Sequence, residues 1–181
     1  MEALARKAGR HVTPGNGQTR RIVVTGPEST GKTTLATQLA ERLGAPLVVE
    51  AAREYAERVA RPVTAADVEP IARRAMALDD AARAGNPPVI VLDTDLVSTV
   101  VYARHYYGAC PEWIVAAAHQ RRGDVYLLCD IDLPWVGDGV RDRPEARAEL
   151  HALFSATLTA FRCMVVRVAH ETPGTVDAGG G

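Results

Sequence analysis

Lysine is nearly absent from this chain of 181 residues, which contains only Lys7 and Lys32. Arginine supplies the other basic side chains, and the formal net charge is −1. This charge balance gives no general attraction to nucleic acid or to a membrane surface, so we expect neither as a partner. Lys32 stands inside a glycine-rich segment, where the planar guanidinium of arginine cannot replace a compact ammonium group.

Cysteine and long apolar runs are also scarce. Cys110, Cys129 and Cys163 are odd in number and show no C-x-x-C spacing, so we expect reduced thiols. No apolar run approaches the length of about 18 residues that a membrane span requires. Residues 1–20 lack the apolar core of a signal peptide. Together these features predict a cytoplasmic protein.

The glycine-rich segment around Lys32 is a phosphate-binding loop. Residues 26–33 read G-P-E-S-T-G-K-T, which matches the P-loop pattern G-x-x-x-x-G-K-[ST]. Backbone N–H groups of such a loop surround the phosphates, the lysine reaches the terminal phosphates, and the hydroxyl of Thr33 binds Mg²⁺. The pattern therefore predicts ATP and Mg²⁺ as cofactors. The residues predicted to bind ATP are Gly26, Glu28, Ser29, Thr30, Gly31, Lys32, Thr33 and Thr34.

Alternating strand and helix patterns surround this loop. The predicted strands are short, nearly continuous apolar runs at residues 21–25, 46–50, 89–93, 124–129 and 164–168. The predicted helices lie at residues 34–43, 64–83, 96–107 and 111–120, with a last one near Pro144. This order predicts one α/β domain, a parallel sheet with helices on both faces, over residues 21–170. We expect a disordered N-terminal tail at 1–20 and a flexible C-terminal tail at 171–181.

Acidic residues follow the third strand, at the sheet edge where α/β proteins bind ligands. Asp93 ends that strand, and a carboxylate there, beside a P-loop, holds Mg²⁺ directly or through water. Asp95 would receive the proton of an acceptor hydroxyl or hydrogen-bond the acceptor. The alternative is that Thr94 or Asp95 caps the next helix, a role compatible with catalysis.

Two further segments contain candidate site residues. Glu50, Arg53, Glu54 and Tyr55 follow the second strand and are predicted to bind substrate, unless they form only a solvated helix start.

Residues 131–145, after the fourth strand, contain two glycines and two prolines and then Arg141 and Arg143. This composition predicts a closing lid whose arginines act catalytically on the transferring phosphate. The alternative is an ordinary loop in which these arginines pair with Asp138 and Asp142. Trp135 is either a lid anchor or a stacking surface for a substrate ring.

These segments together resemble the kinase domain of the NadR-type proteins of NAD salvage, a family also grouped with AAA-type P-loop ATPases. The similar segments are residues 26–34, 52–55, 93–95 and 134–141, in the same order within about residues 20–168. The resemblance implies a P-loop kinase fold whose five parallel strands have the order 2-3-1-4-5. It also implies phosphoryl transfer from ATP to the 5′-hydroxyl of nicotinamide riboside, which gives nicotinamide mononucleotide.

The resemblance has two departures. Full NadR-type proteins carry an adenylyltransferase domain before the kinase, whereas 20 residues precede the first strand here, so we expect that activity to be absent. Relatives usually have a further helix after the fifth strand, where this chain has a glycine-rich tail.

Other nucleotide-binding functions fit less well. AAA-type motors usually have adjacent Asp-Glu after the metal-binding strand, and no Asp-Glu pair occurs in this chain. A GTPase reads guanine through Asn-Lys-x-Asp, which two lysines at positions 7 and 32 cannot supply. A regulatory ATPase or a nucleotide-binding module without kinase activity stays open as the alternative. Intact Lys32, Thr33 and Asp93 argue against a module that only binds nucleotide. The resemblance implies a small, nucleoside-like acceptor.

Overall fold

A computed structural model describes residues 18–132 and 144–169 of the chain. The strands are β1 Arg20–Thr25, β2 Leu47–Val48, β3 Val89–Asp93, β4 Val125–Cys129 and β5 Val165–Val168. The helices are α1 Lys32–Leu43, α2 Ala51–Val59, α3 Val68–Arg83, α4 Leu96–Tyr107, α5 Glu112–Gln120 and α6 Pro144–Ala160. A short 3₁₀ turn, Ala65–Asp67, precedes α3. None of the described helices is long and apolar enough to cross a membrane.

The strands form one sheet with the order β2-β3-β1-β4-β5, and every neighbouring pair is parallel. The predicted P-loop kinase fold and strand order are therefore confirmed. Val24 near the end of β1 lies opposite Asp93 on one side and Leu127 on the other. This register brings the loop that leaves β1 beside the end of β3, where the predicted metal-binding acid stands.

Helices cover both faces of the sheet because side chains alternate along the buried strands. Ile22 and Val24 of β1 pack with the apolar side of α1, whereas Val23 points into the opposite core layer. That second layer is formed with α3, α4, α5 and α6 and contains the fully buried Phe154. The elements that lead from the sheet edge into these helices are the ones that position the site.

The largest differences from the sequence-based expectation concern β2 and the start of α3. The second strand covers two residues instead of 46–50, because Glu50 already stands at the N-cap of α2 and Val49 is half exposed. The helix expected from residue 64 begins as a 3₁₀ turn with a capping box between Thr64 and Asp67. Pro70 then falls in the first turn of α3, where a missing N–H is tolerated. The predicted tails and most of the predicted lid, residues 133–143, lie outside the described residues.

Candidate active site

The P-loop is held in a compact turn between β1 and α1. Lys32 is buried, and its Nζ donates to the carbonyl oxygen of Pro27 at 2.6 Å, which the hydroxyl of Thr30 also reaches at 2.8 Å. Gly26 has φ +138°, and a Cβ there would lie 3.0 Å from the carbonyl oxygen of Cys129. Because α1 begins at Lys32, its positive N-terminal end points at the phosphate-binding loop.

Thr33 and Asp93 form a direct contact at the start of α1. The Thr33 hydroxyl donates to Oδ2 of Asp93 at 2.7 Å. Asp93 is 3% exposed, and its Oδ1 is buried with no hydrogen-bond partner among the described residues. A hydroxyl beside a carboxylate with an unsatisfied oxygen is a donor set that suits a hard cation such as Mg²⁺.

The rest of the coordination shell would have to come from the nucleotide and water. Within residues 18–132 and 144–169, no group of three or more His, Cys, Asp or Glu side chains could hold a metal. Mg²⁺ in kinases is typically held by one or two side chains together with substrate phosphates and waters. Thr33 and Asp93 fit that pattern.

Thr94 separates the two acids that follow β3 and has a backbone φ of +68°, which is a strained value for a β-branched residue. Its N–H donates to the carbonyl of Val24 at 3.0 Å, which fixes the turn against β1. As a result Asp93 contacts Thr33, whereas Asp95 contacts the start of α4 and strand β4.

Asp95 is buried and makes contacts through both carboxylate oxygens. Oδ1 accepts the N–H of Val97 at 2.9 Å, so Asp95 is the N-cap of α4, as one of the two sequence interpretations held. Oδ2 accepts the hydroxyl of Tyr126 at 2.7 Å. Burial raises the pKa of Asp95. The hydrogen bonds that its carboxylate accepts and the positive charge of nearby Arg21 oppose that rise.

A cleft begins at this turn and extends between β2, α3 and α4. Its empty volume is about 870 Å³ with the open mouth included. Glu50, Thr94 and Asp95 supply polar lining at one end, and Tyr102, Tyr106 and Tyr107 supply aromatic walls. The Tyr102 hydroxyl donates to the carbonyl of Gly26 at 3.3 Å, so the cleft adjoins the P-loop. A cleft of this composition suits a small molecule with an aromatic ring and hydroxyl groups.

The structure separates the four residues predicted to bind substrate after β2. Glu50 lines the cleft, and an ion pair of 3.6 Å joins it to the exposed Arg53. Glu54 and Tyr55 do not line it: Glu54 pairs with Arg74 of α3 at 2.8 Å, and the Tyr55 hydroxyl donates to Asp67 at 2.8 Å. Glu54 and Tyr55 therefore lie on the side of α2 that packs against the 3₁₀ turn and α3.

Arg147 of α6 contacts the P-loop, and sequence reasoning did not single it out. It is buried, and its guanidinium donates to the carbonyl of Ser29 in the P-loop at 3.4 Å. The available signal was a further basic residue shortly after Arg141 and Arg143, at the start of the last helix. Arg141, Arg143 and Trp135 lie outside the described residues, so their roles stay predictions.

A family model for an AAA domain matches residues 21–175 of this chain. The chain belongs to this family. The Trifunctional NAD biosynthesis/regulator protein NadR of Escherichia coli (strain K12) is 29% identical over 161 residues, which are 84% of this chain and 38% of that protein. The NadR protein of Salmonella typhimurium is 30% identical over 129 residues, 67% of this chain and 31% of that protein. The predicted resemblance to NadR-type proteins is thereby confirmed.

Solved structures show the same similarity. A NadR protein in complex with NR has 28% identity and a TM-score of 0.67, and the match covers 86% of this chain and 47% of that one. A NadR protein in complex with NAD and AMP-PNP has 27% identity and a TM-score of 0.64, with 85% and 45% covered. Thymidylate kinase from Ehrlichia chaffeensis shares the fold at 14% identity and a TM-score of 0.66, with 88% and 91% covered. The chain spans less than half the length of the NadR proteins it matches.

Proposed function

We propose that this protein transfers the γ-phosphoryl group of ATP to the 5′-hydroxyl of nicotinamide riboside, which yields nicotinamide mononucleotide. The observation that carries the proposal is the junction of the P-loop with an aromatic-lined cleft, joined at Gly26 and Tyr102. A phosphate-binding loop alone would suit any nucleotide-dependent protein. The adjoining cleft provides room for a second small molecule within reach of the terminal phosphate.

The phosphate side of the reaction is served by Lys32, Thr33 and Asp93. The ammonium of Lys32 leaves the Pro27 carbonyl and binds the terminal phosphates, where its charge stabilises the transition state. Thr33 and Asp93 would hold Mg²⁺, and neutralisation of phosphate charge is the chemistry that the bound ion supplies. Arg141 and Arg143 act late, on the charge of the transferring group, so Arg141→Ala should lower turnover more than ATP affinity.

Two acids serve the acceptor side. Glu50 is the more accessible of them, with 15% of its side chain exposed, and orients the attacking hydroxyl. Asp95 lies deeper and accepts a hydrogen bond from another hydroxyl of the acceptor. A loose phosphoryl-transfer transition state needs little proton removal, so Glu50 contributes mainly by orientation and Asp95 mainly by binding the acceptor.

The test is product analysis by mass spectrometry. Purified protein is incubated with Mg-ATP and nicotinamide riboside, and parallel reactions contain thymidine, adenosine, uridine or glucose. We expect a phosphorylated product from nicotinamide riboside and none with the Lys32→Ala variant. ATP hydrolysis at one rate with every acceptor, without a phosphorylated nucleoside, would favour a regulatory ATPase instead. A product from another nucleoside alone would retain the kinase and change its substrate.

A further inference from the structure

Tyr126 of β4 is a fully buried tyrosine whose hydroxyl forms a directed chain of hydrogen bonds. The N–H of Gly123 donates to the Tyr126 hydroxyl oxygen at 3.0 Å, and the hydroxyl donates to Oδ2 of Asp95 at 2.7 Å. The backbone N–H can only donate, so the hydroxyl proton is directed toward the carboxylate. The thiol of Cys163 is a further polar neighbour of the Tyr126 hydroxyl.

These hydrogen bonds, together with the helix cap, fix the orientation of the Asp95 carboxylate. The N–H of Val97 holds Oδ1, and the Tyr126 hydroxyl holds Oδ2, so each oxygen is tied to a different element of the fold. The N–H of Ser98 is a third donor to this carboxylate. An ionised carboxylate has about four acceptor positions, so one of them stays available to a ligand. Asp95 also lines the cleft, with 7% of its surface exposed.

We propose that Tyr126 is a positioning residue for the acceptor, because it holds Asp95 in the rotamer that binds an acceptor hydroxyl. The inference rests on the proposed kinase function and adds a residue to it. The described hydrogen bonds of Tyr126 do not involve the P-loop, Thr33 or Asp93. Loss of its hydroxyl should therefore weaken acceptor binding and leave the nucleotide site unchanged.

The experiment compares wild type with Tyr126→Phe in steady-state kinetics with nicotinamide riboside and ATP. We expect the KM for the acceptor to rise about tenfold, with kcat and the KM for ATP within about twofold of wild type. Isothermal titration with the acceptor in the presence of AMP-PNP should show the same loss of affinity. Trp113→Phe is the control, because it removes a hydrogen bond of 3.1 Å to Glu69 outside the cleft.

A double-mutant cycle with Asp95→Asn separates positioning from a general structural effect. If Tyr126 acts through Asp95, Tyr126→Phe should add almost nothing to the acceptor KM of Asp95→Asn. If Tyr126→Phe is insoluble, Asp95→Asn alone tests the contact between Tyr126 and Asp95. This variant should fold, because its amide retains an oxygen that can cap α4. An unchanged acceptor KM in Asp95→Asn would overturn the inference.

Other results would overturn it as well. An acceptor KM at the wild-type value in Tyr126→Phe, or equal increases in both KM values, would show that the hydroxyl has no specific role at the acceptor. Full additivity in the cycle would lead to the same conclusion. If wild type phosphorylates nicotinamide riboside and these results occur, only this inference fails. If wild type neither phosphorylates nor binds any nucleoside, the proposed function fails with it.

Discussion

The hydroxyl of Thr33 and the carboxylate of Asp93 lie 2.7 Å apart, although 60 residues separate them in the chain. The parallel register of β1 and β3 creates this contact, because it aligns the end of β3 with the loop that leaves β1. The two side chains present a hydroxyl and an unsatisfied carboxylate oxygen at the point where the nucleotide phosphates would lie. The pair is the part of the site on which Mg²⁺ dependence should rest.

Asp93→Asn should therefore lower kcat at least about 100-fold, which corresponds to about 2.7 kcal/mol of transition-state stabilisation. Asp95→Asn should lower kcat less, since Asp95 binds an acceptor hydroxyl other than the attacking one and its loss should appear mainly in the acceptor KM. The measurement is kcat as a function of Mg²⁺ concentration for both variants. A smaller loss in Asp93→Asn than in Asp95→Asn, with the Mg²⁺ dependence unchanged, would contradict the assignment of Asp93 to the metal.

Lys32→Arg should be nearly as damaging as Lys32→Ala, despite the conserved charge. Lys32 is buried, and its Nζ donates to a backbone carbonyl at 2.6 Å. A planar guanidinium cannot reproduce the geometry of this compact ammonium inside the loop. We expect kcat to fall about 100-fold or more in both variants. Lys7→Arg changes the chain's second lysine and is the matched control, with turnover expected at the wild-type value.

Gly26→Ala should destabilise the protein more than Gly44→Ala. Both glycines have positive φ, but a Cβ at Gly26 would lie 3.0 Å from a backbone oxygen, whereas a Cβ at Gly44 would meet nothing within 4 Å. Gly44→Ala should cost about 1 to 2 kcal/mol from the left-handed backbone alone. Urea unfolding of both variants measures the difference. An equal loss of stability would show that the neighbouring Cys129 backbone yields easily.

Acid should weaken the contact between α2 and the start of α3. Hydrogen bonds to the Asp67 carboxylate hold its pKa well below the ordinary value. The largest contribution comes from Arg61, the next from the N–H of Thr64, and a smaller one from Tyr55. As the pH falls, the Asp67 carboxylate is therefore protonated at a higher pH in the unfolded chain than in the folded protein. The stabilisation is complete above the ordinary carboxyl pKa and declines as the pH falls below about 4. Urea unfolding from pH 3 to pH 7 should show wild type and Asp67→Asn converging toward the acid end. Parallel pH curves would contradict the ionised role of Asp67.

Much of the fold was readable from the sequence because local signals and long-range packing agree there. Residues 89–93 and 96–107 form a strand and a helix as predicted, since an apolar run ends at an acid and the helix ends at Gly108. The P-loop with Asp93 was equally readable, because strand ends in a parallel sheet meet at one edge.

The contacts of single side chains were less readable. Glu54 pairs with Arg74 of α3, and Tyr55 donates to Asp67 of the 3₁₀ turn. No spacing rule links those positions to α2. Tyr126 stood in a strand-like apolar run, where its hydroxyl gave no signal of a link to Asp95. Such contacts depend on how elements pack, which a single sequence does not display.

The separation of Glu50 from Glu54 gives a direct comparison of two neighbouring acids. Glu50 lines the cleft, so Glu50→Gln should lower kcat about 10- to 100-fold through poorer orientation of the acceptor hydroxyl. Glu54→Gln removes a half-exposed ion pair with Arg74, so it should cost up to about 1 kcal/mol of stability and leave kcat within about twofold of wild type. Steady-state kinetics and urea unfolding on both variants provide the two readouts. Arg74→Gln should reproduce the stability loss of Glu54→Gln, because it breaks the same pair from the other side. A fall of kcat in Glu54→Gln that Arg74→Gln does not share would place Glu54 at the acceptor after all.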